Sequence, residues 1–172
     1  TIVTAGENDF MRIWNAGSGV MVKKLSYPIN GRVSLTYSAD STKLLVTSEQ
    51  ENIGRLLDAT SFDIIQELKG HEAGIASSAI SPDCKMLVTA GRDKTVRVWN
   101  TETGEMIRSI GNYAAGMVNY VAFGPGSGMI TTGSYEGLLK IWNINTGAFI
   151  REIPNNSSKV EYISFSPDRT RL

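Results

Sequence analysis

The chain is predicted to be all-β: four similar units in series, each a sheet of four short antiparallel strands. Two observations carry this reading. Trp14, Leu57, Trp99 and Trp142 recur at spacings of 43, 42 and 43 residues, and self-similarity at such a period marks stacked units that cannot bury their apolar faces alone. Apolar and polar residues alternate over short runs, the period of a half-buried strand, and no segment sustains the 3.6-residue stripe of a long helix.

Further columns keep the same spacing. Thr4, Thr47, Thr89 and Thr132 precede a turn position held by Asn8, Glu51, Asp93 and Glu136. Asn15, Asp58, Asn100 and Asn143 directly follow the tryptophan column, and Gly19, Phe62, Gly104 and Gly147 stand a little beyond, with Phe62 breaking the pattern. Upstream, Tyr37-Ser38, Ile80-Ser81, Phe123-Gly124 and Phe165-Ser166 each pair an apolar residue with a turn residue.

The third unit reads most clearly. A first strand is expected near Ile75–Ile80, and Ser81-Pro82-Asp83 turns the chain. A second strand follows near Met86–Ala90, and Gly91-Arg92-Asp93-Lys94 makes a tight turn. A third covers Thr95–Trp99, Asn100–Gly104 turns again, and a fourth covers Glu105–Ile110. Each turn has a physical basis: proline presets φ, Asp and Asn bond their own backbone, and glycine supplies positive φ.

These residues resemble the WD-repeat family. The third unit carries the whole signature, with Gly70-His71, Ser81-Pro82-Asp83, Asp93 and Val96-Arg97-Val98-Trp99-Asn100; the fourth has Gly133 and Leu139-Lys140-Ile141-Trp142-Asn143, and the first has Met11-Arg12-Ile13-Trp14-Asn15. The second unit is degenerate, with Leu57 in place of tryptophan and no Gly-His pair. The resemblance covers essentially the whole chain and implies a β-propeller built from four-stranded antiparallel blades around a channel. It divides residues 1–172 into one array, with blades near 1–26, 32–68, 75–110 and 118–153. A strand at 160–165, from the same chain or another, would complete the first blade.

The chain has 172 residues, 41% hydrophobic and 20% charged, with 17 basic and 17 acidic side chains. That composition suits a globular core. Zero formal charge supplies no general attraction to nucleic acid or an acidic membrane. One cysteine, Cys84, excludes an intrachain disulfide and fits a reducing compartment. No apolar run approaches the roughly 20 residues of a membrane-spanning helix, and no secretory leader pattern is present. An intracellular, cytoplasmic location is expected, with nuclear or cytoskeletal sites as alternatives. Both ends read as cut within one hairpin, so three arrangements are expected in order: a fragment of a longer propeller, a half-ring that dimerises into eight blades, and a closed ring of four.

His71, Thr89 and Asp93 have the composition of a nucleophile triad. The resemblance implies a different duty, in which these three and Trp99 form a structural tetrad: Asp93 bonds His71, His71 bonds Thr89, and Thr89 bonds the indole. One His and one Cys cannot make a closed zinc site, and no calcium-loop spacing appears. The stretch Gly124-Pro125-Gly126-Ser127-Gly128 lacks the Lys-Ser/Thr of a phosphate loop and aligns with the Ser-Pro-Asp hairpin turns. Asn155-Asn156-Ser157-Ser158 holds overlapping glycosylation sequons. No catalytic residue, metal or cofactor is expected.

By the same resemblance, partners meet the face carrying the turns between second and third strands and the approach into each first strand. Carried over by position, that face comprises Glu7, Gln50, Arg92 and Tyr135 with Met117, Asn119, Lys159 and Glu161, Val33 and Ala76 being the matching positions elsewhere. Arg, Tyr and Met are enriched at interfaces. The expected function is a non-catalytic scaffold for protein or peptide partners. Its alternatives are a structural module of a cytoskeletal, ciliary or other large assembly, then a nucleic-acid-associated propeller or an enzyme.

Overall fold

The structure, a computed structural model, describes residues 1–6, 10–26, 31–111, 116–154, 160, 162–163 and 165–166. Fifteen strands and one short 3₁₀ turn make up the described residues. The first sheet holds β1 (Ile2–Gly6), β2 (Phe10–Trp14) and β3 (Met21–Ser26). The second holds β4 (Val33–Tyr37), β5 (Lys43–Ser48), β6 (Ile53–Asp58) and β7 (Ile64–Lys69). The third holds β8 (Ile75–Ile80), β9 (Met86–Gly91), β10 (Val96–Asn100) and β11 (Met106–Ile110). The fourth holds β12 (Val118–Phe123), β13 (Met129–Ser134), β14 (Leu139–Asn143) and β15 (Phe149–Ile153), with the 3₁₀ turn Pro125–Ser127 between its first two strands. Each is an antiparallel meander, the geometry of a propeller blade.

The turn after β2, β6, β10 and β14 shows why Asn serves as well as Asp in that column. Oδ1 of Asn15 accepts the N–H groups of Gly17 and Ser18 at 2.9 Å each, and Oδ1 of Asp58 those of Thr60 and Ser61 at 2.8 Å. Asn100 does the same for Glu102 and Thr103, and Asn143 for Asn145 and Thr146. Only an acceptor is needed, and the amide oxygen supplies it. The turn then closes at a residue of positive φ: Gly19 at 70°, Phe62 at 62°, Gly104 at 73° and Gly147 at 74°. Phe62 is the exception in type, and its ring is buried among Met11, Ile13, Leu44, Val46 and Leu57.

Successive sheets pack face to face. Met11 and Ile13 of β2 join Leu44, Val46 and Leu57 of the second sheet. Leu45, Leu56 and Leu68 of the second sheet join Leu87 and Trp99 of the third. Val88, Ala90, Val96 and Val98 of the third join Val118, Val121 and Ile130 of the fourth, with Trp142 against them. Every fully buried side chain of this size stabilises by about 1.5–3 kcal/mol. A repeated polar strap reinforces each contact at the rim. Lys23 Nζ donates to Ser61 O at 2.7 Å, Gln66 Nε2 to Glu102 O at 3.0 Å, and Arg108 Nη2 to Asn145 O at 2.9 Å.

Two expectations need correction. The strand expected at 160–165 lies partly outside the described residues, and its described members Val160, Tyr162, Ile163 and Phe165 are not in a strand. The first sheet therefore has three strands among the described residues. Val160 and Ile163 instead bury against the fourth sheet, where a side chain at Gly133 would collide with Val160. The second correction concerns the threonine column. Leu44 pairs with Leu57 as Leu87 pairs with Trp99, but the β5–β6 hairpin is one residue longer than its β9–β10 counterpart. Val46, not Thr47, is thus the equivalent of Thr89. A one-residue slip moves a side chain to the opposite face, and Thr47 accordingly bonds Ser78 of the third sheet at 3.1 Å.

Candidate functional site

The four residues His71, Thr89, Asp93 and Trp99 meet as one hydrogen-bonded chain. His71 Nδ1 lies 2.8 Å from Asp93 Oδ2, His71 Nε2 lies 2.7 Å from Thr89 Oγ1, and Trp99 Nε1 donates to the same hydroxyl at 2.9 Å. The chain is consistent with Nδ1 carrying the proton toward Asp93 while Thr89 donates to Nε2. Asp93 also accepts from Glu72 N at 3.0 Å, Thr95 N at 3.0 Å and Thr95 Oγ1 at 2.8 Å. Burial drives the His71 pKa down, outweighing the raising effects of the Asp93 hydrogen bond and charge. Burial pushes Asp93 upward, but hydrogen bonds from Glu72, Thr95 and His71 outweigh it and hold the carboxyl below its usual range. Any side chain at Gly91 would collide with His71 and Asp93, so that position must stay bare.

The imidazole is buried and its Thr89 neighbour is fully buried. A general base must reach the proton that it abstracts, and this geometry seals both nitrogens within the chain. Shortened versions recur: Trp14 Nε1 donates to Thr4 Oγ1 at 2.9 Å and Trp142 Nε1 to Thr132 Oγ1 at 3.0 Å. In the second sheet Val46 and Leu57 occupy these positions, and the contact is wholly apolar.

The loop face is built from backbone outward. Glu49 N donates to Arg32 O at 3.0 Å, Arg92 N to Gly74 O at 2.8 Å, and Tyr135 N to Met117 O at 3.0 Å. Each bond locks a turn between second and third strands onto the approach to a first strand. It makes Glu49, Arg92 and Tyr135 equivalent, with Gln50 one residue beyond. Arg92 is exposed and ion-paired with Glu49, which also faces Arg32 at 4.0 Å. Tyr135 and Met117 are 53% and 38% exposed. Gln50 is exposed, whereas Asn119 is half-buried at a bulge of β12 with its Nδ2 unpartnered among the described residues. Val33 and Ala76 are half-buried in β4 and β8. Glu7, Lys159 and Glu161 lie outside the described residues. Arg32 and Glu49 were not singled out from sequence; the one-residue insertion hid the column that contains Glu49.

A cleft where β4, β8 and β12 converge is lined by Leu35, Tyr37, Ser78, Tyr120, Phe123 and Tyr162 among others, with no carboxylate, imidazole, amine or thiol. Burial, followed by the neighbouring Tyr162, pushes Tyr120 up to about 12, so its phenol stays protonated. Cys84 sits half-buried in the β8–β9 turn, and Pro125–Ser127 forms the matching turn between β12 and β13. The sequons at 155–158 lie outside the described residues. Among the described residues no group of three or more His, Cys, Asp or Glu could hold a metal ion, and no helix is long and apolar enough to cross a membrane.

Residues 62–100 and 104–143 match the family described as WD domain, G-beta repeat. The chain is 29% identical over 102 residues to WD repeat and SOCS box-containing protein 1 of Mus musculus, covering 59% of this chain and 24% of that protein. It is 28% identical over 105 residues to WD repeat-containing protein 36 of Homo sapiens, covering 61% and 12%. It is 27% identical over 126 residues to the Target of rapamycin complex subunit LST8 of Saccharomyces cerevisiae, covering 72% and 40%. The chain thus spans well under two thirds of each relative's length.

Proposed function

Because this chain belongs to the WD-repeat family, whose members are generally non-catalytic protein-interaction scaffolds, we propose that it is itself non-catalytic and presents its loop face to protein or peptide partners. The observation that carries the proposal is the row of backbone bonds holding Glu49, Arg92 and Tyr135 on rigid turns, with Arg92 and Tyr135 exposed and Glu49 half-buried and ion-paired to Arg92. Loops fixed by a stiff scaffold are where binding residues concentrate, and exposed Arg, Tyr and Met are the anchors such surfaces use. The yeast relative is named as a subunit of a complex, which favours a protein partner over a small molecule. An intracellular location accords with this reading, and a relative from Schizosaccharomyces japonicus is named as a probable cytosolic assembly factor.

The test is affinity capture with the parent chain and the Arg92→Ala/Tyr135→Ala double variant. Proteins retained by the parent are expected to be lost from the variant, with thermal unfolding little changed. Equal capture by both would remove the loop face from consideration and direct attention to the rim strands, as a structural module of a larger assembly would use them.

A further inference from the structure

At the end of the strands opposite the loop face, the second and third sheets share a pocket of about 410 Å³. Lys43, Cys84, Lys85, Asn100, Thr101 and Glu102 line it. Its size falls within the roughly 300–1,000 Å³ that small-molecule sites occupy. Cys84 lies in the β8–β9 turn at φ 60°, in a column with Ser41 at 60° and Ser127 at 57°. Ser127 shows where this column reaches, since its Oγ accepts Asp83 N of the preceding sheet at 3.4 Å. In the third sheet the same position carries a thiol, and Lys43 of the second sheet lines the pocket beside it. The turn is fixed on both flanks. Ser81 Oγ donates to Asp83 Oδ1 at 2.6 Å, and Thr101 N donates to Lys85 O at 3.1 Å.

Thr101 supplies an independent sign of a ligand. Its column otherwise holds Ala16, Ala59 and Ile144. The backbone bond of Thr101 recurs there, from Ala59 N to Thr42 O at 2.9 Å and from Ile144 N to Gly128 O at 3.0 Å. A hydroxyl thus replaces an apolar group in the third sheet alone. Thr101 is 3% exposed, and its Oγ1 has no hydrogen-bond partner among the described residues. Buried polar groups are nearly always satisfied, so an orphan hydroxyl in a pocket wall calls for a polar group on whatever binds there. Lys43 and Lys85 form no salt bridge among the described residues. The carboxylates that act on them, Asp40 and Asp58 on Lys43 and Asp83 on Lys85, accept hydrogen bonds within their own turns.

We propose that Cys84 is a modification site for a carboxylate-bearing peptide disulfide, forming a mixed disulfide with glutathione in this pocket. The lining matches glutathione group for group in charge. Lys43 and Lys85 pair with its two carboxylates, Glu102 with its α-ammonium, and the Thr101 hydroxyl with an amide. The Cys84 thiolate attacks one sulfur of glutathione disulfide, so a new S–S bond forms as the old one breaks. The departing glutathione thiolate takes up the proton that Cys84 released. One disulfide replaces another, and no further oxidant is needed.

Equilibration of the 172-residue chain in glutathione buffers of varied disulfide-to-thiol ratio, read by intact mass, tests this. The same titration with mercaptoethanol and its neutral disulfide gives the uncharged comparison. Both are repeated on the chain unfolded in urea, which removes the intrinsic difference between the two thiols. Folded Cys84 is expected to favour glutathione by about tenfold, the size that two solvent-exposed ion pairs supply together. Lys43→Gln/Lys85→Gln should bring the two buffers level while Cys84 still reacts. Absence of any mixed disulfide on the folded chain would overturn the proposal. So would equal constants in the two buffers, the mark of an ordinary exposed thiol, or a glutathione preference that survives Lys43→Gln/Lys85→Gln.

Discussion

The imidazole of His71 and the carboxylate of Asp93 meet at 2.8 Å with 0% and 6% of their side chains exposed. Each supplies what the other lacks in a place that water does not reach. Removing one leaves a buried group unsatisfied, at about 1–3 kcal/mol. His71→Ala and Asp93→Ala are each expected to lower unfolding free energy in urea by that amount. The double variant should cost clearly less than the sum, because both single changes break the same chain.

Stability should fall as pH drops below the ordinary histidine value. The folded-state pKa of His71 lies below its reference of 6.5, so between the two values the unfolded chain binds the extra proton. Stability is then complete above about 6.5 and declines as pH falls toward the folded value. Asp93, whose folded pKa is also lowered, adds a second loss as pH falls below the reference of 3.8. This is the only histidine of the chain. His71→Gln should therefore abolish the first loss and keep the second, as read from melting temperature between about pH 2 and about pH 8, a span that covers both the carboxylate and the histidine ranges.

Thr89 and Thr47 share a residue type and differ in duty. Thr89 bonds both His71 and Trp99, whereas Thr47 bonds Ser78. Thr89→Val strands two buried partners and is expected to cost about 2–4 kcal/mol, against about 1 kcal/mol for Thr47→Val. Equal costs in denaturant unfolding would contradict the one-residue register difference between the second and third sheets.

Phe62 holds a left-handed backbone, φ 62°, with its ring 6% exposed. Glycine there would relieve about 1–2 kcal/mol of backbone strain but forfeit about 3–5 kcal/mol of aromatic burial. Phe62→Gly should therefore destabilise by about 2 kcal/mol, measurable by thermal unfolding. A stabilised variant would show that strain outweighs packing.

Much of the fold was legible because each sheet repeats its turn chemistry. Asn15, Asp58, Asn100 and Asn143 stand in a column because each turn needs an acceptor for two N–H groups. His71 and Trp99 were legible as partners through the family resemblance. Thr47 was misplaced because threonine fits either face of a strand, and only pairing partners reveal a hairpin lengthened by one residue. The straps of Lys23, Gln66 and Arg108 leave no column in the sequence because their residue types differ; what they share is a position and a reach.

By itself, the sequence determined four units and their strand order, while the residues of the buried polar chain were implied by the family resemblance. All of these depend on contacts within one hairpin or one repeat. Tertiary structure decided which face Thr47 serves, that Glu49 pairs with Arg92, and that Val160 and Ile163 bury against the fourth sheet without forming a strand. These depend on how neighbouring sheets meet, where distance through space replaces distance along the chain and periodicity carries no information about the approach.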